Sequence, residues 1–290
     1  MRYLIFLVLL SCTNKEVTQP TKEVGQPTSS TSTPIDVTST NADCKWVEKS
    51  KGVLKYSKIT ETSGMCFNGE SLFLHDDSGN RSRVHTTKDF VSFKSIDIPF
   101  KNNDWEAIDC NKNTFTIFDI GKSGWNKDPA TLITCKYDGT NCVSNNFYWP
   151  SIGKDAESAL MYEDGTFFIM EKLYDQKNPD IYKGKIGNSK LEKAYTLDWK
   201  IIKGDMKIIS DMSLSPSEKK FMFVEIDNND KNKVTWFVCD EDLRIGFNHK
   251  CTKHESRNLG QIESSVWLGE NEIMFTTEGS NPEYYIMACK

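Results

Sequence analysis

Five stretches of the chain stack on one register, and no other feature limits the fold as much. They are SGMCFNGESLFLHDDSG from Ser63, DWEAIDCNKNTFTIFDIG from Asp104, DAESALMYEDGTFFIMEK from Asp155, ISDMSLSPSEKKFMFVEID from Ile209 and QIESSVWLGENEIMFTTEG from Gln261. Each reads as a short strand, a turn and a second strand ending in an acid, with Phe, Ile, Val, Tyr and Thr broken by Asn, Asp and Gly. The leading acids Glu106, Glu157, Asp211 and Glu263 follow one another at 51, 54 and 52 residues. In the first unit Ser63-Gly64 stands in their place. A unit near 50 residues with room for four strands points to a β-propeller.

The expected fold is all-β, a propeller of five four-stranded blades. A β-sandwich or a six-bladed ring with one degenerate blade are the competing architectures. The last unit runs out of chain at Lys290 after three strands. The unassigned segment Lys45–Tyr56 is therefore expected to supply the fourth and close the ring, which removes an open sheet edge.

That closure organises the cysteines. Of nine Cys, eight lie beyond residue 40, an even number that reads as disulfides in an exported chain. Cys44 and Cys289 would face each other in the composite blade. Cys135 and Cys142, and likewise Cys239 and Cys251, sit across the third and fourth strands of their units. Cys66 and Cys110 remain, on innermost strands of neighbouring blades. A zinc site is disfavoured, because there is no CxxC pair and the four His stand at no metal-ligand spacing to a Cys.

The N-terminus MRYLIFLVLLSC carries Arg2, an apolar run to Leu10 and small residues before Cys12. It resembles a bacterial lipoprotein signal, which implies residues 1–11 as signal peptide and Cys12 as the lipidated first residue of the mature chain. An ordinary secretory signal with a chance Cys is the alternative. Residues 12–42 follow as a Ser/Thr/Pro-rich tether without an aromatic residue, unable to bury enough apolar area to offset its ordering entropy. The folded domain is expected over 43–290. Thr13, where an Asp can mark inner-membrane retention, favours the outer membrane or cell surface of the bacterial envelope. Contact with the membrane is expected through the lipid anchor only. A formal charge of −5 argues against nucleic acid as partner and leaves a protein or a small anionic ligand.

In a propeller the start of each innermost strand and the end of the second lie on one face. The leading acids and the trailing set Asp76/Asp77, Asp119, Glu171, Glu225 and Glu278 should therefore meet at one mouth of the channel. So many carboxylates repel one another without a cation. Oxygen ligands without His or Cys select Ca²⁺ or Mg²⁺, and the loose geometry favours Ca²⁺. Glu106, Glu157, Glu263, Asp211 and Ser63 are the expected ligands, with Ser210 as a further donor. Arg81, Lys122 and Lys172 flank the same loops and suit an anionic ligand such as phosphate. The acids have a structural reading too, as turn caps or partners of Lys and Arg.

The motifs HDDSG, DWEAID, FDIG, DAESA, SDMSLSP and QIESSVW, in that order over about residues 60–280, resemble an uncharacterised class of bacterial exported β-propellers with NDSG, DWED, DIGDN, DAEA, SPDG and QxEA. The order is also similar to that of the calcium-activated nucleotidases, or apyrases. That resemblance implies a central Ca²⁺ at Glu106, Glu157 and Glu263. The expected function is a lipid-anchored binding or scaffold module. The alternative is a Ca²⁺-dependent phosphohydrolase with Asp77 or Asp119 as general base and Arg81 or Lys122 on the phosphate. No GxSxG motif occurs and the four His form no triad pattern in sequence.

Overall fold

The computed structural model describes residues 44–290 apart from short segments at 122–128, 152–153, 173–177, 199, 201–207, 228–229 and 231, together with the backbone of 37–39. Cys12, the signal and nearly all of the tether lie outside the described residues, as does Lys122.

The strands run in chain order as β1 (Val37–Ser39) and β2 (Trp46–Val53), then in units of four. Blade one is β3 (Thr62–Phe67), β4 (Leu72–Asp76), β5 (Arg83–Thr87) and β6 (Phe93–Asp97). Blade two is β7 (Trp105–Cys110), β8 (Thr114–Asp119), β9 (Ala130–Lys136) and β10 (Val143–Phe147). Blade three is β11 (Ala156–Met161), β12 (Thr166–Glu171), β13 (Asp180–Lys185) and β14 (Glu192–Thr196). Blade four is β15 (Ile208–Leu214), β16 (Phe221–Ile226), β17 (Lys233–Cys239) and β18 (Cys251–Arg257). Blade five is β19 (Ile262–Gly269), β20 (Glu272–Thr277) and β21 (Glu283–Cys289), completed by β2 in the order β19-β20-β21-β2. The result is five antiparallel blades, not six and not a sandwich. β1 adds a fifth strand to blade four by pairing with β18, within the stretch read as tether.

The first strands β3, β7, β11, β15 and β19 each touch the next and close a ring, β19 meeting β3. Burial follows distance from that ring. β12 and β16 are buried at every position, whereas β6 and β14 are largely solvated. The core is correspondingly five separate apolar clusters, one between each pair of neighbouring blades. Phe118, Phe147 and Phe167 fill the gap between blades two and three, and Phe221, Phe223 and Phe237 the next. Trp46 of the closing strand packs edge-on against Trp267 with ring centroids 6.1 Å apart, so closure buries an aromatic as well as pairing an edge.

Four disulfides join Cys44–Cys289, Cys66–Cys110, Cys135–Cys142 and Cys239–Cys251, the pairs that strand register suggests. In the closing blade Trp46 pairs with Cys289, and Cys239 faces Cys251 directly. Four such bonds are the chemistry of an oxidising, extracytoplasmic compartment.

Candidate metal centre

Every innermost strand is bulged at the same step. The pairing register slips between Thr62 and Gly64, Trp105 and Ala107, Ala156 and Ser158, Ile209 and Asp211, and Ile262 and Ser264. The extra residues are Ser63, Glu106, Glu157, Ser210 and Glu263. A bulge leaves one residue out of the ladder and re-aims its side chain. Five bulges in register therefore form one ring of three glutamates and two serines at the mouth where the first strands begin.

The charge of Glu157 reaches both Glu106 and Glu263. Burial, then the charges of Glu157, Asp77 and Asp104, holds the Glu106 carboxyl well above its ordinary range, with Lys172 opposing. Glu157 is pushed up to about 7, mainly by burial, against the pull of Lys172. Glu263 is pushed up to about 7 by burial, with Glu157 and Glu278 adding to it and Gln261 opposing through its side-chain hydrogen bond. Such shifts mark carboxylates whose charged form lacks a sufficient counter-charge.

One part of the ring is drawn tight. Ligand oxygens of Asp77, Asp104 and Glu106 all lie within 4.8 Å of one another. The Ser63 hydroxyl lies 3.2 Å from Glu106 Oε2 and 3.2 Å from the Trp105 carbonyl, so it belongs to the same group. Gly121 faces this group. A Cβ there would collide with Glu106 Oε1 and come within 2.7 Å of Asp104 Oδ2. The absent side chain leaves the carboxylates room to turn toward a common centre. Across the ring, Ser210 is 2% exposed and its hydroxyl has no hydrogen-bond partner.

The residues expected from sequence separate in the structure. Glu106, Glu157, Glu263 and Ser63 come together. Asp211 does not join them. It sits one residue past the bulge, and its Oδ2 accepts hydrogen bonds from the Ser265 backbone N–H and from the Ser265 hydroxyl at 2.8 Å, tying blade four to blade five. Burial raises its pKa to about 8, and the acid that acts on it is Asp109, not the funnel glutamates. Ser210 occupies the register position assigned to Asp211.

The trailing acids also divide. Asp119 Oδ1 accepts the Asp104 N–H and Oδ2 the Asn103 amide, both at 2.9 Å, so its two oxygens hold the entry to β7 rather than face a substrate. Asp76 does the same for Thr60 and Glu61, at 3.0 and 3.1 Å. Glu171 accepts the Asp180 N–H at 3.1 Å and pairs with Lys154. Asp77 is one step further along and remains at the mouth. Lys172 is there too, in an ion pair with Glu157. Arg81 is exposed and, with Arg83, acts on Asp97 at the outer strand of blade one, away from the funnel.

Asp104 and Asp155 escaped the reading as site residues. Their signal is the spacing D-x-E in DWE and DAE, which puts an acid two residues before Glu106 and Glu157, where Glu263 has Gln261. A hydrogen-bonded line Ser95–His85–Asp76 also escaped it. The Ser95 hydroxyl meets His85 Nδ1 at 3.0 Å, and His85 Nε2 meets Asp76 Oδ2 at 3.3 Å. His85 is fully buried and Tyr56 holds the Ser95 hydroxyl at 2.9 Å, so this line braces blade one internally.

No family model matches the chain, and no curated protein matches its sequence. Solved structures similar to it include a luciferin-regenerating enzyme at 7% identity, covering 84% of this chain and 95% of that one with a TM-score of 0.48. The calcium-binding protein regucalcin from Agrobacterium tumefaciens aligns at 9% identity over 82% of this chain and 94% of its own, with a TM-score of 0.47. A gluconolactonase from Xanthomonas campestris aligns at 12% identity over 86% and 90%, with a TM-score of 0.45.

Proposed function

We propose that the chain is an extracytoplasmic, lipid-anchored propeller that binds a divalent cation, Ca²⁺ first, at its acidic mouth and serves as a rigid binding or scaffold module. The observation that carries this reading is the convergence of Asp77, Asp104 and Glu106 oxygens within 4.8 Å, beside a glycine that yields them the space. Ser63 would complete the near side of the site, while Glu157 and Glu263 lend negative charge from across the ring. All-oxygen donors of mixed type suit a hard cation with loose coordination. When bound, the ion would neutralise carboxylates that burial otherwise penalises. The signal-like MRYLIFLVLLSC and the Ser/Thr/Pro-rich spacer support anchorage through Cys12 at the cell envelope, outer membrane or surface, where millimolar calcium is available to a weak site.

A cation bound to the folded state alone stabilises it by about 2.7 kcal/mol at a hundredfold excess over Kd. At roughly 2–4 °C per kcal/mol for a domain of this size, calcium should raise the unfolding temperature by about 5–10 °C over the chelated protein. Glu106→Gln and Asp104→Asn should remove most of that rise, and Asp211→Asn should leave it intact. Thermal unfolding indifferent to calcium and to chelator in the wild-type chain would refute the site.

The second reading, a Ca²⁺-dependent phosphohydrolase, draws on Lys172, a cationic side chain at the acidic mouth. Its ammonium would hold an oxyanion next to the cation, and Asp77 is the remaining candidate base. Release of phosphate from nucleoside di- and triphosphates, dependent on calcium and lost in Lys172→Met, would favour it over the scaffold.

A further inference from the structure

The channel has a second mouth, formed where the first strands end and turn into the second. It holds a cavity of about 440 Å³. Its floor is apolar, made by Met65, Ile108, Met161, Met212 and Val266. Two of the floor's neighbours are polar and deep. Asp109 reaches across from blade two, its Oδ2 accepting the Met161 N–H of blade three at 2.7 Å. The Ser213 hydroxyl is buried and has no partner. Around the rim stand Glu163, Glu218 and Glu270, so four carboxylates and one lysine, Lys112, line the cavity, and Arg244 pairs with Glu218 from beside it.

Glu218 shows that this rim is held against a local preference. Its φ is 58°, left-handed backbone that a side chain with a Cβ pays for. The matching turn of blade three has Gly165 at φ 79°. The Glu218 carboxylate accepts the Glu163 N–H and lies 2.8 Å from Arg244, which fixes the turn of blade four to blade three at the cavity edge. Strain persists where the surroundings over-determine it, commonly at binding surfaces.

We infer that this second mouth binds a small organic cation, an amine whose apolar body rests on the methionine-rich floor and whose ammonium meets the Asp109 carboxylate. The volume is that of a small-molecule pocket, with an apolar floor beneath a polar rim. Met side chains adapt to varied apolar shapes. The excess of carboxylates selects positive charge over negative, and Asp109 is the one carboxylate adjoining the floor. Burial raises the Asp109 pKa to about 7, as expected of an acid awaiting a counter-charge. The site is separate from the calcium mouth and does not depend on it.

The experiment is calorimetric titration of the full chain with n-hexylamine and, separately, 1-hexanol, which has the same apolar body without the charge. Saturable binding of the amine, about tenfold or more tighter than the alcohol, is expected. Asp109→Asn keeps an acceptor for the Met161 N–H and should weaken the amine about tenfold while sparing the alcohol. Met212→Trp, which fills the cavity, should abolish binding of both and serves as the deciding variant if Asp109→Asn does not fold. Calcium and chelator should change neither. No saturation by the amine up to about 10 mM would overturn the inference. So would equal binding of amine and alcohol, or an amine affinity untouched by both substitutions.

Discussion

Both ends of the same five strands carry acids, but they differ in what surrounds them. At the entry end a bulge in every strand turns Ser63, Glu106, Glu157, Ser210 and Glu263 out of the ladder and into one ring. At the exit end the first strands lead to Met161 and Met212, a cavity with an apolar floor, and turns that differ from blade to blade. The lesson is that repetition and function occupy different positions along one strand. The repeated bulge builds a ring of glutamates and serines, drawn tight on one side where Asp77 and Asp104 join Glu106. The unrepeated turns build an irregular pocket suited to a molecule.

The largest test of that division is at the seam, which belongs to neither mouth. Cys44–Cys289 closes a loop with a sequence separation of 245 residues. Replacing both by Ser should cost about 3–5 kcal/mol, since long loops lose most when the link is cut. Because first strands touch around the whole ring, both mouths should loosen together. Calcium binding and amine binding should weaken in the same variant, and hydrogen exchange should quicken in β2 and β21. If one mouth keeps full affinity while the seam opens, the ring is not the unit that holds both.

Acid titration distinguishes the two groups of buried acids by calcium rescue. Glu157 and Glu263 have folded pKa values near 7, above the ordinary carboxylate range. Between those limits the folded state binds more protons than the unfolded, so metal-free stability falls as pH rises from about 4.5 to about 7, then levels. Bound calcium favours the ionised form and should cancel this part of the fall, so the calcium-induced rise in unfolding temperature grows from near zero at pH 5 to its full size by pH 7.5. Asp109 and Asp211, raised to about 7 and about 8 by burial, contribute a fall of the same sign that calcium does not touch. Asp211→Asn should remove its share of what remains and leave that of Asp109. Unfolding temperatures with and without calcium across this range measure both components.

The same contrast explains what the amino-acid sequence revealed. The blade count was legible because units recur at 51, 54 and 52 residues, and the closing strand because the last unit lacked one. A bulge, however, shifts register by a single residue and leaves no mark in composition. Sequence register alone points to Asp211, whereas the bulge gives the ring position to Ser210. The tight group Asp77–Asp104–Glu106 joins residues of two blades. Only the D-x-E spacing hinted at Asp104, and nothing local announced that Asp119 would spend both oxygens on the chain entering β7. The second mouth was invisible, because its floor lies on strands read only as core and its rim on turns that share no pattern.

The smallest expected effect is the sharpest on geometry. Gly121 carries no unusual backbone angle, so alanine there meets no torsional penalty, only a contact: its Cβ would press on Glu106 Oε1 and approach Asp104 Oδ2. Relief requires the two carboxylates to turn away from each other, which spreads the oxygens that a cation would draw together. Gly121→Ala should thus weaken calcium about tenfold, equal to about 1.4 kcal/mol, and leave the metal-free unfolding temperature nearly unchanged. Amine binding at the far mouth should not move at all, since no residue near Gly121 lines that cavity. A drop in stability without calcium would mean that Gly121 serves packing alone. An unchanged calcium affinity would mean that the cation, if bound, is held by the axial glutamates Glu157 and Glu263 and not by the cluster on blades one and two.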